Sequence, residues 1–218
     1  DWVNNNQIIA LLVNEAEGQH SDLIAFELET GEELYELDDV DTMSASTDGT
    51  KIGVFDETKV LHMLDATTGD TIWTFTLFVD RPQDLLWSPD DSKLVLPEFL
   101  INLAYLINAE TGELMARLPS HEVIWNPNST TILVHDENTN PEHWRVYDTV
   151  TGDYPLSFQY ERDVVWDMDG VNIISPDGIW HTDYATLVEQ GQSLKIRDLR
   201  KTELEEVFLK PPEVTTSQ

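Results

Sequence analysis

The stretch Asp65-Ala66-Thr67-Thr68-Gly69-Asp70 has three close relatives elsewhere in this chain. They are LETGEEL around Thr30, NAETGEL around Thr111 and DTVTGDY around Thr151. The threonines of the four Thr-Gly pairs are 38, 43 and 40 residues apart. A sequence that resembles itself about every 40 residues is built from one supersecondary unit used repeatedly.

Each Thr-Gly phrase is followed by an apolar strand, a polar turn and another apolar strand. The clearest copies are LLWSPDDSKLV at 85–95 and VIWNPNSTTIL at 123–133, with weaker copies at 44–52 and 164–171. The opening WVNNNQII fits the same template. Asp, Asn, Ser, Pro and Gly suit tight turns, and a Thr-Gly pair suits a hairpin loop whose glycine has positive φ.

These features predict an all-β fold, a β-propeller of about five four-stranded blades. Short strands at this spacing also occur in sandwiches, but sandwich strands need not resemble one another. Five blades are enough to close a ring, or they form part of a larger propeller, and both interpretations stay open. The predicted propeller covers 1–210, with blades at 1–38, 39–78, 79–118, 119–160 and 161–210, an inserted hairpin or elaborated loop at 175–192, and a polar tail or linker at 211–218.

The pairing of Asp-x-x-Thr-Gly with Trp-Ser-Pro-Asp resembles the WD-repeat propellers, especially the prokaryotic ones, over nearly the whole chain. The family's Gly-His pair is reduced to His121, and its terminal Trp-Asp pair is absent. The hydrogen-bond network of that family is therefore not carried over. The acidic or amide position three residues before the threonine is held by Glu27, Asp65, Asn108 and Asp148, with Asp198 matching by alignment.

Segment 64–77 is also similar to the repeat of quinoprotein dehydrogenases, in which a tryptophan docks one blade on the next. Trp73 fits that role, whereas the sequence alignment puts Leu34, Met115 and Pro155 at the corresponding places. The first-strand tryptophans Trp87, Trp125 and Trp166 recur at equivalent positions, and we expect them to pack between blades.

The chain carries 42 acidic and 12 basic residues, a formal net charge of −30. Such a charge repels phosphate backbones, so we expect no nucleic-acid partner. It also attracts basic partners or divalent cations. Solubility, shielding of strand edges or a salty environment also explain the acidity.

In WD-like blades, the connections between second and third strands and between successive blades share one face. Nearly every blade has acids there, and we expect this acidic face to bind a basic protein segment or a cation. The residues are Asp38, Asp39, Asp41, Asp56, Glu57, Asp80, Asp84, Glu98, Glu122, Asp136, Glu137, Glu161 and Asp163. Phe99, Trp144 and Trp180 lie near predicted loops or strand ends and are candidate aromatic anchors, although burial also explains them.

Patterns that indicate catalysis are missing. The six histidines have no metal-ligand spacing, and we find no nucleophile elbow, phosphate loop or dinucleotide fingerprint. Without cysteine, thiol catalysis and Cys-type zinc sites are excluded. We therefore expect no catalytic residue, no metal site and no cofactor, with calcium kept as an alternative.

The sequence thus predicts a non-enzymatic protein–protein interaction scaffold, a subunit of a larger complex or part of a longer chain. Alternatives are a cofactor- or metal-binding enzyme of quinoprotein type and a structural subunit of an extracellular or surface assembly. No apolar run is long enough for a membrane span and no signal peptide is visible. The compartment stays open, because cytoplasmic and secreted settings both fit.

Overall fold

A computed structural model describes residues 2–3, 8–14, 21–76, 85–136, 142–159, 164–176 and 178–182. The fold is all-β, with four antiparallel sheets. The chain divides into two compact units, Asp1–His121 and Glu122–Gln218. Each unit is described by itself below.

The first sheet of unit 1 has seven strands that follow one another in chain order. Every neighbouring pair is antiparallel, so the sheet is a continuous meander. Its strands are β1 (Trp2–Val3), β2 (Ile8–Asn14), β3 (Ser21–Glu27), β4 (Glu33–Ala45), β5 (Lys51–Asp56), β6 (Val60–Asp65) and β7 (Thr71–Thr76).

Strand β4 is unusually long because it belongs to two sequence repeats. Its first half pairs with β3, as in Leu37 with Leu23, and its second half pairs with β5, as in Ala45 with Ile52. Between the halves Asp39 has a φ of 59°, a left-handed conformation that Asp tolerates better than most residues. The blade boundary expected after residue 38 stays a prediction.

The second sheet of unit 1 has four strands in the order β11-β10-β9-β8. It packs against the first sheet, and Phe55, Leu61, Leu94, Leu96 and Ile107 share one fully buried apolar cluster. Burying a Leu, Ile or Phe side chain stabilises the fold by about 1.5–3 kcal/mol. The strands are β8 (Leu86–Trp87), β9 (Lys93–Glu98), β10 (Leu103–Asn108) and β11 (Leu114–Leu118), with a single 3₁₀ turn at Phe99–Ile101.

Two polar contacts align these sheets. The Trp87 indole Nε1 donates to the main-chain oxygen of Ser44, 3.3 Å away on β4. The Asp91 carboxylate accepts hydrogen bonds from the main-chain N–H groups of Thr47 and Asp48, each at 2.8 Å. The turn before β9 is therefore joined to the turn before β5, and the two strands start at the same end of unit 1.

Aromatic residues dock each repeat of unit 1 onto the Thr-Gly turn of the next. Trp73 Nε1 donates to the Ala109 carbonyl oxygen at 3.0 Å, and its ring lies against Gly112. Tyr35 makes the same contact one repeat earlier, with its hydroxyl donating to the Ala66 carbonyl at 3.0 Å and its ring against Gly69.

This contact corrects the sequence alignment. Tyr35 follows its Thr-Gly glycine by the same four residues as Trp73, so it is the true counterpart of that tryptophan. Leu34 and Met115, which the alignment put there, are one residue too early and are 41% and 40% exposed. The fourth stretch has Leu156 at the equivalent place, one residue after Pro155.

Unit 2 contains two sheets, ordered β12-β13-β14-β15 and β16-β17-β18. Leu133, Trp144 and Val146 of the first sheet pack against Ile173 of the second and against Val164, which comes directly before it. Trp166 lies against this cluster and donates from Nε1 to the Ile124 carbonyl at 3.4 Å. The strands are β12 (Val123–Trp125), β13 (Thr131–Asp136), β14 (His143–Asp148), β15 (Leu156–Gln159), β16 (Val165–Trp166), β17 (Asn172–Ser175) and β18 (Gly178–His181).

The packing role predicted for Trp73, Trp87 and Trp166 is confirmed, and Trp125 is half-buried. Strand β18 changes the interpretation of 175–192, because it is the third strand of its sheet rather than part of an insertion. Thr182 donates to the Val171 carbonyl just as Thr149 donates to that of Thr130.

By this equivalence His181, not Asp198, occupies the position of Asp148. Asp198 itself and the tail 211–218 lie outside the described residues. Within the described part of the chain, no helix has both the length and the apolar character needed to cross a bilayer.

The docking of Tyr35 on Gly69 gives a stability test with a built-in control. Gly31 and Gly69 have φ values of 70° and 74°, but a Cβ at Gly31 meets nothing within 4 Å, whereas one at Gly69 lies 2.6 Å from the Tyr35 ring. Gly31→Ala should cost about 1–2 kcal/mol for the left-handed backbone alone. Gly69→Ala should cost about 1–3 kcal/mol more because of the collision.

Urea unfolding of both variants measures the difference. Equal losses would contradict the docking contact. The double variant Tyr35→Ala/Gly69→Ala should recover part of the added loss, because the clashing ring is gone.

Candidate functional site

One end of unit 1 gathers several of the predicted acidic residues. Strands β5 and β9 start at the turns joined by Asp91, so their far ends reach the same end of the packed sheets. Glu57 donates from its main-chain N–H to the Asp39 carbonyl at 3.4 Å. In the same way, the His121 main-chain N–H donates to the side-chain oxygen of Asn102, which lies in the turn after β9. We call residues 38–41, 56–59, 98–103 and 119–121 the hairpin end.

The hairpin end exposes carboxylates from the bend within β4 and from the turn between β5 and β6. Asp38, Asp39 and Glu57 are exposed, and Asp41 is half-buried. Asp39 is held in place by its main-chain N–H, which donates to the Asp22 carboxylate at 3.2 Å. These acids therefore stand on defined backbone.

Asp56 supports the hairpin rather than extending from it. Its carboxylate accepts hydrogen bonds from the Val60 main-chain N–H at 3.0 Å and from the Thr58 hydroxyl at 2.8 Å. Its other oxygen lies 2.8 Å from His62 Nε2. Burial favours the neutral acid, but the bonds from Val60, His62 and Thr58 outweigh it and lower the pKa of Asp56.

Glu98 is buried, whereas the three residues after it are exposed. Glu98 is 1% exposed, so its carboxylate is not part of the exposed acidic surface. Phe99, Leu100 and Ile101 follow it in the 3₁₀ turn and are 61%, 68% and 41% exposed. Phe99 is therefore placed where an aromatic anchor would be, and two aliphatic neighbours that the sequence analysis missed stand beside it.

In unit 2 the predicted residues serve mainly as internal structure. Asp136 is 4% exposed and pairs with Arg145 Nη2 at 2.7 Å, which removes it from the set of displayed acids. Glu122 contacts His135 Nδ1 at 2.6 Å. Trp144, 1% exposed, stacks on His135 with ring centroids 4.5 Å apart, so it is a core residue and not an exposed anchor.

The side chains of the remaining predicted site residues lie outside the described structure. Trp180 lies in β18, and its side chain is outside the described structure. Five of the predicted acids also lie outside the described residues, namely Asp80, Asp84, Glu137, Glu161 and Asp163.

A cluster of three carboxylate side chains in unit 1 was only partly predicted from the sequence. Asp22, Glu36 and Asp38 each offer an oxygen, and these oxygens lie within 4.8 Å of one another. Asp38 was in the predicted set because the sequence analysis placed it in a connection, whereas Asp22 and Glu36 were not in that set; all three lie in strands β3 and β4. Cross-strand pairing of Ile24 with Glu36 and of Leu23 with Leu37 brings the three together.

The lowered pKa of Asp56 gives a pH test. Because the folded state binds this proton less readily than the unfolded state, the stability that Asp56 contributes is present above its ordinary pKa and is lost as the pH falls through the lowered value. Asp56→Asn keeps an oxygen acceptor for Val60 and Thr58 but cannot titrate. The free energy of unfolding should therefore fall less in the variant than in the wild type between about pH 5 and pH 2.

Urea unfolding at several pH values measures this difference. Identical pH profiles would show that the Asp56 carboxylate does not contribute to the acid sensitivity of the fold.

Comparison with known proteins identifies the fold and no family. No protein-family model matches the chain, and no curated protein matches it either. A solved structure titled "Crystal structure of the eukaryotic initiation factor" is 16% identical, with a TM-score of 0.61, over 82% of this chain and 50% of that chain. Hydrazine synthase of Kuenenia stuttgartiensis is 16% identical, with a TM-score of 0.48, over 70% of this chain and 48% of that chain.

The chain thus spans about half the length of each of these structures. At this level of identity the first likeness shows a β-rich fold and nothing of activity, and the second is too distant to add to it. What is established is that the chain has an all-β fold of antiparallel sheets.

Proposed function

We propose that this chain is a β-propeller of about five blades, related in its repeats to the WD-repeat propellers, and that it is a non-enzymatic scaffold for protein–protein interaction. The four meander sheets and the recurring first-strand tryptophans support the propeller. So does the docking of Tyr35 and Trp73 on successive Thr-Gly turns, because propeller blades pack in this sequential way.

The observation that carries the functional proposal is the group of exposed carboxylates at the hairpin end. Asp38, Asp39 and Glu57 stand on backbone fixed by the bonds Asp39 N–H to Asp22 and Glu57 N–H to Asp39. A backbone that is already ordered loses little loop freedom when a partner binds. The net charge of −30 draws a basic partner toward them.

The binding face is smaller than the sequence indicated. Glu98 and Asp136 are buried and Asp56 is bonded within its own turn, so these three acids are not displayed to a partner. The face that we propose in unit 1 consists of Asp38, Asp39 and Glu57, whose side chains are exposed, with the half-buried Asp41 at its side. The partner is a protein with lysine or arginine at its surface, and a nucleic acid is disfavoured by charge.

A second candidate function is a cofactor- or calcium-binding enzyme of quinoprotein type. The observation that favours it is the docking by Tyr35 and Trp73, because two repeats and not one carry the aromatic contact on which that resemblance depends. Purification of the untagged protein from its own cells, followed by intact-complex mass spectrometry, distinguishes the two. A stoichiometric basic protein supports the scaffold, and a bound organic cofactor or metal supports the enzyme.

Charge neutralisation tests the scaffold directly. The variant Asp38→Asn/Asp39→Asn/Glu57→Gln removes the three exposed charges, and Asn suits the positive φ at position 39. Affinity for the co-purified partner should fall about tenfold or more, and the fall should shrink as salt is raised. Isothermal titration calorimetry at low and high salt gives both numbers.

The matched control removes three exposed acids at the other end of unit 1, Glu29→Gln/Glu32→Gln/Glu113→Gln, and leaves the net charge the same as in the test variant. If both triple variants lose affinity equally, overall charge and not the hairpin end attracts the partner.

A further inference from the structure

The apolar turn after β9 is the most exposed run of large hydrophobic side chains in the described part of unit 1. Phe99, Leu100 and Ile101 are consecutive and are 61%, 68% and 41% exposed. Single exposed apolar residues are ordinary in proteins. A contiguous exposed group is more often found where another molecule binds.

This turn is held in one conformation. Asn102 closes it with a left-handed φ of 49° and a main-chain N–H bond to the Phe99 carbonyl at 3.2 Å. The Asn102 side-chain oxygen accepts from the His121 main-chain N–H at 3.1 Å and lies 2.7 Å from His121 Nδ1. The His121 ring in turn meets the Phe99 ring edge-on, with centroids 4.7 Å apart. The protein therefore presents the apolar residues on a braced support.

The exposed acids of the hairpin end belong to the sheet packed against this one. Phe55 and Leu61, which flank the Asp56–Val60 turn, share a buried cluster with Leu96 of β9. Packed sheets lie about 10 Å apart, and an extended peptide covers about 3.3 Å per residue. A segment of a few residues is therefore long enough to contact both the apolar turn and the carboxylates.

We infer that the hairpin end binds a short linear protein segment in which one or two bulky apolar residues are flanked by lysine or arginine. This inference rests on the proposed scaffold function and specifies its partner. The apolar residue of the segment contacts Leu100 and Ile101, and its basic residues pair with Asp38, Asp39 and Glu57. Lys59 is the one lysine or arginine among the described residues of the hairpin end. The electrostatic potential at the hairpin end therefore favours a cation.

Charge decides against a membrane as the occupant. An exposed Phe-Leu-Ile turn suits insertion into lipid, but membrane-surface sites rely on basic residues to attract anionic headgroups. Here the residues around the turn are acidic, and they repel such a surface.

The experiment begins with random peptides of about 12 residues, about 40 Å long when extended, displayed on phage and selected on the immobilised full chain. We expect the enriched peptides to combine Lys or Arg with Leu, Ile, Phe or Trp. One enriched peptide is then synthesised, and its affinity is measured by fluorescence anisotropy for the wild type and for four variants.

The variants separate the apolar contact from the charge contact. Leu100→Ser should weaken binding by about tenfold, because it removes a central apolar contact. Leu100→Met should bind as the wild type does, since it keeps the apolar surface. Val150→Ser, which removes an apolar side chain that is 76% exposed in a turn of unit 2, should also leave binding unchanged. The triple variant of Asp38, Asp39 and Glu57 should weaken binding and reduce its dependence on salt.

Each outcome bears on the inference. A peptide that loses affinity with the triple charge variant but not with Leu100→Ser overturns the role of the apolar turn and leaves the acidic scaffold standing. Enrichment of acidic peptides, equal losses for Leu100→Ser and Val150→Ser, or no enrichment at all overturns the inference. Binding to vesicles of zwitterionic lipid that Leu100→Ser abolishes, with no peptide selected, would assign the turn to a membrane instead.

Discussion

The hydrogen bond from a first-strand tryptophan to the main chain of the preceding repeat is the contact on which each unit depends. Trp87 reaches Ser44 in unit 1, and Trp166 reaches Ile124 in unit 2. In both units the indole ring also packs on the apolar face of the neighbouring sheet. A four-stranded meander cannot bury its own apolar face, so its stability comes largely from this stacking on the next repeat. The N–H group adds direction, because an indole needs an acceptor when it is buried.

That packing explains which acidic residues are exposed. Within each unit, the strands run from one end of the packed sheets to the other, so their turns fall at the two ends. Some turn acids are then bonded into the turn, as Asp56 is, and some are drawn into the interior, as Asp136 is by Arg145. At the hairpin end, the acids with exposed side chains are Asp38 and Asp39 at the bend of β4 and Glu57 in the turn beside it.

The sequence was a good guide to the repeats and a poor guide to individual side chains. The Thr-Gly turns have glycines of positive φ, as predicted, because no other residue type adopts that conformation so readily. The sequence alignment placed the counterparts of Trp73 one residue too early in the other repeats. Tyr35 stands at the same position as Trp73 but is a different type of residue, so the match was missed. Burial of Glu98 and Asp136 was missed for a physical reason, because both end a strand and only the tertiary packing determines whether such a residue faces water. Leu100 and Ile101 were overlooked because apolar residues next to a strand usually continue its core.

Strand β4 gives the first two repeats a mechanical connection that the later ones lack among the described residues. A repeat array normally loses structure one module at a time, since only side-chain contacts couple neighbours. In this chain a single peptide backbone crosses from one module to the next and is hydrogen-bonded on both sides, to β3 and to β5. Fraying of either module must therefore break main-chain bonds of the other. The seven strands from Trp2 to Thr76 form one continuous hydrogen-bonded sheet, so we expect the bend and the turn that carry Asp38, Asp39 and Glu57 to resist local opening.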